Sequence, residues 1–406
     1  MIRRLLILTD EIAPPAYAPR VTGLVQYLHS CGIETTVFSD RLPGVPPYKE
    51  NDGEWYQTNY YGNRQRRIDY LADKILDRRE LSFRRYIEQT TDFRTYDAIF
   101  CSTCYYFPLL TSHFLSRKYN LPLVVDLRDI AEQWGEVPYM THRSNMPLWM
   151  RNVAERWFLN KNLSQRNKVL AAADSVITIS QWHKQTLSRY NNNTRLVYNG
   201  YNPEDFYPTD IPTDKFRITY TGKIYDINFR DPRLMFQAVK ELTAAGEMNA
   251  DDVEIVFHID KPSISVMQTL AADYGIAEIC RIEGYIPKPK LFDLLHHSSV
   301  VLVLTCLSTP SGPHGILGTK FYEALGVEKP VLCVRSDEGA LADAIRLTNA
   351  GVAAANADEA KHFLLDKYQE WKNKGFTRQP VNKETKRLFS REAESAEILN
   401  IIQNGR

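Results

Sequence analysis

Several features that would place a chain in a special class are scarce or missing here. The 406 residues include only six cysteines, and four of them lie in or beside apolar runs. This usage indicates buried thiols in a reducing compartment rather than a disulfide framework. No stretch approaches the ~20 apolar residues of a transmembrane helix. The early apolar run at residues 5–8 is also too short for a signal peptide. We therefore expect a cytoplasmic protein without a membrane span.

Charge and composition exclude two further classes. The 50 Lys and Arg residues nearly balance 49 Asp and Glu residues, so the net charge is +1 and gives no reason to expect a nucleic-acid partner. An apolar content of 44% with 24% charged residues is ordinary for a globular protein. The length exceeds that of one compact core and suits two domains of about 200 residues each.

The common signatures of nucleotide, hydrolase and metal sites are missing as well. There is no Gly-x-Gly-x-x-Gly, no Walker loop and no Gly-x-Ser-x-Gly. The pair Cys101 and Cys104 has redox spacing but no second pair for zinc, so we interpret it as structural. No Asp-x-Asp is present to hold a metal against a sugar diphosphate, so cations and backbone amides would have to replace it. We expect no metal and no cofactor.

The sequence does contain short apolar runs that alternate with helical patterns, which is typical of βαβ units and parallel sheets. The pattern pauses in turn formers near residue 205 and then restarts, and residues 42–95 interrupt it with a basic, tyrosine-rich insertion. It predicts an α/β protein with two doubly wound, Rossmann-like domains facing across a cleft. Ligands of such sheets bind beyond the carboxyl ends of the strands. The predicted strands are 5–8, 35–39, 98–101, 123–126, 175–179, 217–222, 254–258, 280–284, 300–304 and 330–334.

The most informative stretch, residues 309–326, begins as a Gly/Pro loop after a predicted strand and continues as a helix. Glycines allow close approach of a ligand, and the amides of a helix start attract anions. Lys320 and Glu323 share one helical face, where a lysine suits a phosphate and a carboxylate suits ribose hydroxyls. A solvated Lys–Glu pair at an ordinary corner explains the spacing equally well.

Charged residues also follow two other predicted strands. Lys223 and Arg230 come after strand 217–222 and could neutralise a departing diphosphate, although a hydrophilic loop is the simpler interpretation. Arg128 and Asp129 follow strand 123–126, where a carboxylate could orient or deprotonate an acceptor hydroxyl or form a structural Arg–Asp pair. Arg20, at the entrance of the first helix, could touch a phosphate or cap the helix.

Taken together, four segments resemble glycosyltransferase family 4 in their order and spacing. They are residues 173–180, 197–206, 283–287 and 318–332. The resemblance implies a GT-B fold and a retaining, metal-independent transfer from a nucleotide diphosphate donor, for which we expect a UDP-sugar. It also implies that the second domain holds the nucleotide. The corresponding domains are residues 1–204, residues 205–385, and a last helix at 386–406 that crosses back to the first domain.

The resemblance also assigns roles to residues. Glu323 corresponds to the ribose-binding glutamate, Lys223 and Arg230 lie near the diphosphate-binding pair, and Tyr285 with Ile286 lies where the base is cradled. The amides and side chains at the helix start complete the nucleotide-sugar site: Gly315, Gly318, Thr319 and Lys320, with Arg20 from the first domain.

Some positions depart from the family pattern. Gly315 stands where many members have a second glutamate, and Asp129 falls in the region where many members have a first-domain histidine near the reacting centre. A nucleotide-sugar epimerase of the same fold and a non-catalytic GT-B protein therefore stay open as alternatives, and a firm carboxylate pair facing the sugar would favour the epimerase.

The expected acceptor is a saccharide or a lipid-linked saccharide, in surface polysaccharide or glycoconjugate synthesis. Residues 64–86 carry eight Lys and Arg side chains against four acids, and residues 146–158 form a second basic, aromatic stretch. Basic helices with aromatic residues bind anionic bilayers, so we expect an anionic membrane surface as a further partner. The open alternative is that the apolar faces pack on the sheet and the arginines are solvated.

Overall fold

A computed structural model describes residues 2–11, 19–62, 73–135, 148–224, 226–227, 229–305 and 312–405. The chain divides into two compact units, Met1–Asn199 with Arg391–Arg406, and Gly200–Ser390. The first unit therefore includes the last helix of the chain. Within the described ranges, no helix combines the length and the apolar character needed to cross a membrane.

The first unit is built on a seven-stranded sheet in the order β3-β2-β1-β4-β5-β6-β7, with every neighbouring pair parallel. Its strands are β1 (Arg4–Glu11), β2 (Glu34–Asp40), β3 (Glu54–Thr58), β4 (Ala98–Thr103), β5 (Leu123–Leu127), β6 (Ser175–Thr178) and β7 (Thr194–Leu196). Its helices are α1 (Pro19–Ser30), α2 (Arg78–Thr90), α3 (Leu109–Tyr119), α4 (Leu148–Ala172) and α5 (Gln181–Leu187).

The continuous apolar strands of this sheet are explained by burial on both faces. Leu5 and Ile7 point to one side of β1 and pack in a core that includes Ile398 of the last helix. Leu6 and Leu8 point to the other side and join a second core. Because side chains alternate along a strand, a run such as 5–8 serves both layers at once.

The second unit contains a six-stranded parallel sheet in the order β10-β9-β8-β11-β12-β13. Its strands are β8 (Phe216–Gly222), β9 (Val253–Ile259), β10 (Cys280–Glu283), β11 (Val300–Leu304), β12 (Val331–Val334) and β13 (Gly351–Ala354). Its helices are α6 (Arg233–Ala244), α7 (Ile264–Asp273), α8 (Lys288–His296), α9 (Thr319–Val327), α10 (Ala340–Thr348), α11 (Ala357–Lys374) and α12 (Lys383–Arg387), and the chain then returns to the first unit as α13 (Arg391–Asn404).

Two parallel sheets, each with helices in its unit, confirm the predicted fold class. The main difference concerns residues 42–95, which the sequence predicted as an interruption. Part of this segment, β3, extends the first sheet as an edge strand that pairs with β2. Its pattern, Glu-Trp-Tyr-Gln-Thr, is half exposed and carries no apolar run that would have revealed it.

Candidate functional site

A pocket of about 150 Å³ opens in the second unit where β8 and β11 end. The strand order reverses between these two neighbours, which is the place where parallel α/β sheets bind ligands. The pocket therefore occupies the position at which the topology predicts a site. Its walls are formed by Tyr220, Gly222, Lys223, Arg230, Val303, Leu304, Thr305, Ile316, Gly318, Thr319, Lys320 and Leu341.

Two of the predicted cations line this pocket, and local contacts position both. The Tyr220 hydroxyl donates to the carbonyl oxygen of Lys223 at 2.9 Å, which fixes the backbone just after β8. The Arg230 guanidinium donates to the carbonyl oxygen of Leu304 at the end of β11. Both positive charges are thereby held at the same edge of the sheet.

The start of α9 forms another wall of the pocket. Gly318 precedes the helix with φ of 24° and offers no side chain to cap it. A Cβ built at Gly318 would meet nothing within 4 Å, so the space in front of the helix is open. The first amides of a helix and its dipole attract negative charge. Together with Lys223 and Arg230, this helix start makes the pocket suited to an anion.

Lys320 and Glu323 form an ion pair one turn into α9. The ammonium lies 2.9 and 3.2 Å from the two carboxylate oxygens, and the side chains are 27% and 17% exposed. Lys320 also lines the pocket, and its Cε lies 3.5 Å from where a Cβ would stand on Gly222. Gly222, at φ of 145°, thus leaves room for the lysine to reach the end of β8.

The remaining predicted donor residues of this unit lie apart from the pocket walls. Gly315 adopts φ of 73° in the loop before α9, a conformation that favours glycine. Tyr285 and Ile286 follow β10, which is two strands away from β8, or roughly 10 Å across the sheet. The Tyr285 side chain is exposed, and the preceding carbonyl of Gly284 lies 2.9 Å from His258 Nδ1.

Arg20, which the sequence analysis places at the donor, is held by acidic side chains of the first unit. It is almost fully buried, and it donates to both carboxylate oxygens of Asp126 at 2.9 and 3.0 Å. Its second acidic partner is Glu394 of α13, at 3.1 Å. The guanidinium therefore links α1, β5 and α13, a structural role that leaves fewer of its N–H donors for a phosphate.

Asp129 lies at the carboxyl edge of the first sheet, near the point where β1 and β4 are neighbours. Its carboxylate accepts a bond from the Gln133 side chain at 2.9 Å. Arg128 pairs instead with Asp10 at the end of β1, a residue that the sequence analysis did not consider. Burial raises the pKa of Asp129 above its ordinary value, although the Gln133 bond and the Arg128 charge act in the opposite direction.

The sequence could have revealed Asp10 through the same rule that selected Asp129, because both follow a buried strand at the ligand-binding edge. The Cys104 amide donates to Asp10 at 2.9 Å, which ties the ends of β1 and β4 together.

The described residues contain no group of three or more His, Cys, Asp or Glu side chains arranged to hold a metal ion.

Comparison with known proteins agrees with this architecture. The model of Glycosyltransferase Family 4 matches residues 19–205. Sucrose-phosphate synthase from Thermosynechococcus elongatus superposes with a TM-score of 0.64 at 16% identity, covering 99% of this chain and 98% of that one.

Two further structures superpose along nearly the whole chain. HepE from Anabaena, in complex with UDP, gives a TM-score of 0.64 at 13% identity and covers 98% of this chain and 99% of its own. The lipopolysaccharide outer core galactosyltransferase WaaB, in its apo form, gives 0.59 at 11% identity, with coverages of 98% and 99%. No sequence among the curated proteins matches this chain.

The two sheets and these similarities show the GT-B fold. The residues that match the Glycosyltransferase Family 4 model lie mostly in the first unit.

Proposed function

We propose that this protein transfers a sugar from a UDP-sugar to a hydroxyl of a saccharide or lipid-linked saccharide, with retention of configuration and without a metal ion. The observation that carries the proposal is the pocket of the second unit, where Lys223, Arg230 and the uncapped start of α9 surround one space. HepE, which is similar in fold, has been solved with UDP and with UDP-glucose. WaaB, another similar fold, is a lipopolysaccharide galactosyltransferase, which supports a role in surface polysaccharide synthesis.

The pocket suits the main electrostatic task of glycosyl transfer. The acceptor oxygen forms a bond to the anomeric carbon, and the bond from that carbon to the diphosphate breaks. The electron pair moves to the phosphate oxygen, so negative charge grows on the leaving group. Lys223, Arg230 and the amides of Thr319 and Lys320 would stabilise this charge without a metal.

We further propose that Asp129 handles the acceptor hydroxyl. A carboxylate whose pKa is raised by burial is a better proton acceptor than a fully solvated one. The loss of the hydroxyl proton then balances the charge that the diphosphate gains. Glu323 would bind the donor ribose after Lys320 turns to the phosphate, and Tyr285 with Ile286 would flank the base.

Thermal unfolding in the presence of a panel of nucleotides and nucleotide sugars tests the proposal. A ligand at 100 times its Kd adds about 2.7 kcal/mol to the stability of the folded state, which raises Tm by roughly 5–10 °C in a unit of this size. We expect a UDP-sugar to give such a shift, and the variant Glu323→Ala, which removes the proposed ribose-binding carboxylate, to lose most of it. No shift with any nucleoside diphosphate sugar would refute the donor site.

Two assays of the reaction test the proposed retention of configuration and the proposed independence of a metal ion. The NMR coupling of the anomeric proton in the product reports retention, and inversion would refute that part of the proposal. Turnover in the presence of a strong chelator should equal turnover without it, and a loss that added Mg²⁺ or Mn²⁺ restores would show that the transfer requires a metal.

A further inference from the structure

The helix α4 carries a row of large apolar side chains that face solvent. Trp149, Val153 and Trp157 expose 69%, 64% and 51% of their surfaces. They are spaced four residues apart, so they lie one above another on a single face. The row spans about 12 Å along the helix axis. A grouped apolar surface of this kind, unlike a single exposed leucine, indicates contact with another surface.

Lys161, the next residue of the same four-residue series on α4, connects this helix to a neighbouring segment. The Lys161 ammonium donates to the carbonyl oxygens of Lys74 and Ile75 at 2.8 and 3.0 Å, which holds the helical turn at residues 73–76 against α4. Ile75 and Leu76 in that turn are exposed. We call the five exposed side chains the apolar stripe: Trp149, Val153, Trp157, Ile75 and Leu76.

Exposed cations follow the apolar stripe along the chain on α2, which begins two residues after Leu76. Arg78, Leu81 and Arg85 have the spacing of one helical face, and all three are exposed. Arg156 is exposed next to Trp157. We call these exposed arginines, Arg78, Arg85 and Arg156, the arginine edge.

The acids of the same segment are turned inward, and donors from the protein interior satisfy them. Asp73 accepts from the Arg79 amide at 2.6 Å, and Asp77 accepts from Lys161 at 2.8 Å. Glu80 is buried and accepts from the Thr111 amide at 2.9 Å, at the start of α3. Among residues 73–86, Arg78 and Arg85 are exposed, whereas Asp73 and Glu80 are buried and Asp77 is half-buried, so this segment presents a net positive charge to solvent.

We propose that the apolar stripe and its arginine edge dock on an anionic lipid bilayer. Tryptophan favours the interface between headgroups and acyl chains, and arginines beside it attract anionic headgroups. A second copy of this chain is a poorer occupant, because in a symmetric contact the same surface meets itself, and the stripe with its arginines contains no carboxylate to pair with the cations. Arg64, Arg66, Arg67 and Leu71, which the sequence analysis included in this surface, lie outside the described residues.

The docking surface stands on the first unit's own residues, whereas its link to a lipid-linked acceptor rests on the proposed function. A bilayer-bound first unit would present the enzyme to acceptors that are anchored in the membrane. A lipid-linked saccharide, rather than a free oligosaccharide, is then the acceptor class.

Sedimentation of the full chain with lipid vesicles tests the inference. Vesicles of phosphatidylcholine alone are compared with vesicles that also contain phosphatidylglycerol, at about 0.1 M and about 1 M salt, where the Debye lengths are about 10 and 3 Å. We expect binding to the anionic vesicles at low salt and much weaker binding in the other three conditions. Absence of binding to anionic vesicles at low salt would overturn the proposal.

Three variants locate the contact. Trp149→Ser with Trp157→Ser should weaken binding at least roughly tenfold. Arg78→Gln with Arg85→Gln should weaken it on the order of 25-fold at low salt, since each cation near the surface contributes about fivefold. The matched control is Val266→Ser with Leu388→Ser, two equally exposed apolar residues of the second unit, which should bind as the wild type does.

Two further outcomes would contradict the inference. Equal binding by all variants would place the membrane contact elsewhere. A wild-type dimer in light scattering that the tryptophan variant abolishes would instead assign the stripe to a second copy. Donor-induced thermal stabilisation, measured on the same samples, should be unchanged in every variant. If it is missing while vesicle binding persists, the proposed function fails and the membrane surface stands.

Discussion

The ion pair between Lys320 and Glu323 leads to a specific prediction about donor binding. In the protein without ligand, the lysine occupies both carboxylate oxygens that the ribose would need. A nucleoside diphosphate offers the lysine a phosphate in exchange, whereas a nucleoside offers it nothing. The pair should therefore favour ligands that carry both a ribose and a diphosphate.

The expected magnitudes follow from the geometry. Two hydroxyl bonds to a carboxylate contribute about 1.5–3 kcal/mol each. The ion pair that must open is partly exposed, and pairs of this kind contribute at most about 1 kcal/mol. The difference leaves at least about 2 kcal/mol, so Glu323→Ala should weaken UDP binding roughly thirtyfold or more. Lys320→Met should also weaken UDP, but it should leave uridine binding unchanged or up to about fivefold tighter, because the carboxylate is released.

Titration calorimetry with UDP and uridine measures both effects. The matched control is Glu370→Ala, which removes the acid of another i,i+3 pair, with Lys367 on α11. This variant should bind UDP as the wild type does. Unchanged UDP affinity in Glu323→Ala would remove the glutamate from the site. Equal losses for UDP and uridine in Lys320→Met would show that the lysine supports the fold and does not exchange partners.

Three further predictions concern turnover and stability. Lys223→Ala and Arg230→Ala should each lower kcat on the order of 100-fold while changing donor affinity less, because negative charge develops on the diphosphate as its bond to the anomeric carbon breaks. A normal kcat of the double variant in steady-state kinetics would show that both residues are only surface charges. Asp129→Asn should abolish most activity with little change in Tm, and a fall in Tm with activity retained would favour a purely structural carboxylate. Burial lowers the pKa of His183 from 6.5 to about 4, and neither ring nitrogen has a hydrogen-bond partner among the described residues. Between pH 6.5 and pH 4 the folded protein thus binds fewer protons than the unfolded chain. The free energy of unfolding should therefore fall by ~3 kcal/mol as the pH drops from 6.5 towards 4. Denaturant unfolding of His183→Met should lack this loss, whereas the control variant His362→Met should keep it.

The fold could be predicted from the sequence because buried parallel strands are continuously apolar. Runs such as residues 5–8 and 300–304 have no polar face, and this pattern occurs where helices cover both sides of a sheet. The edge strands β3, β7 and β13 lack this signal, since they are short or half exposed. The burial of a strand depends on its position in the sheet. That position is set by the whole topology, so the local sequence pattern does not predict it.

Some residues of the candidate site could also be predicted from the local sequence, and others could not. Lys223, Gly318 and Lys320 could be selected because a loop after a strand and the start of a helix define their places locally. Arg20 looked equivalent, but its partners Asp126 and Glu394 are 106 and 374 residues away in the sequence. No local pattern reveals that an arginine at a helix entrance is already neutralised by distant acids.

The arginines at the carboxyl edges of the two sheets differ in their partners. This difference supports a donor site in the second unit and an acceptor site in the first. At the edge of the first sheet, Arg20 and Arg128 are each held by carboxylates from other elements. An anionic donor gains little from guanidinium groups that already have such partners. In the second unit, Arg230 is held by a neutral carbonyl and keeps its charge uncompensated by that contact. The amides at the start of α9 add a second source of positive potential to the same pocket. A diphosphate is therefore expected in the second unit, and a neutral hydroxyl acceptor, which needs only a carboxylate such as Asp129, in the first.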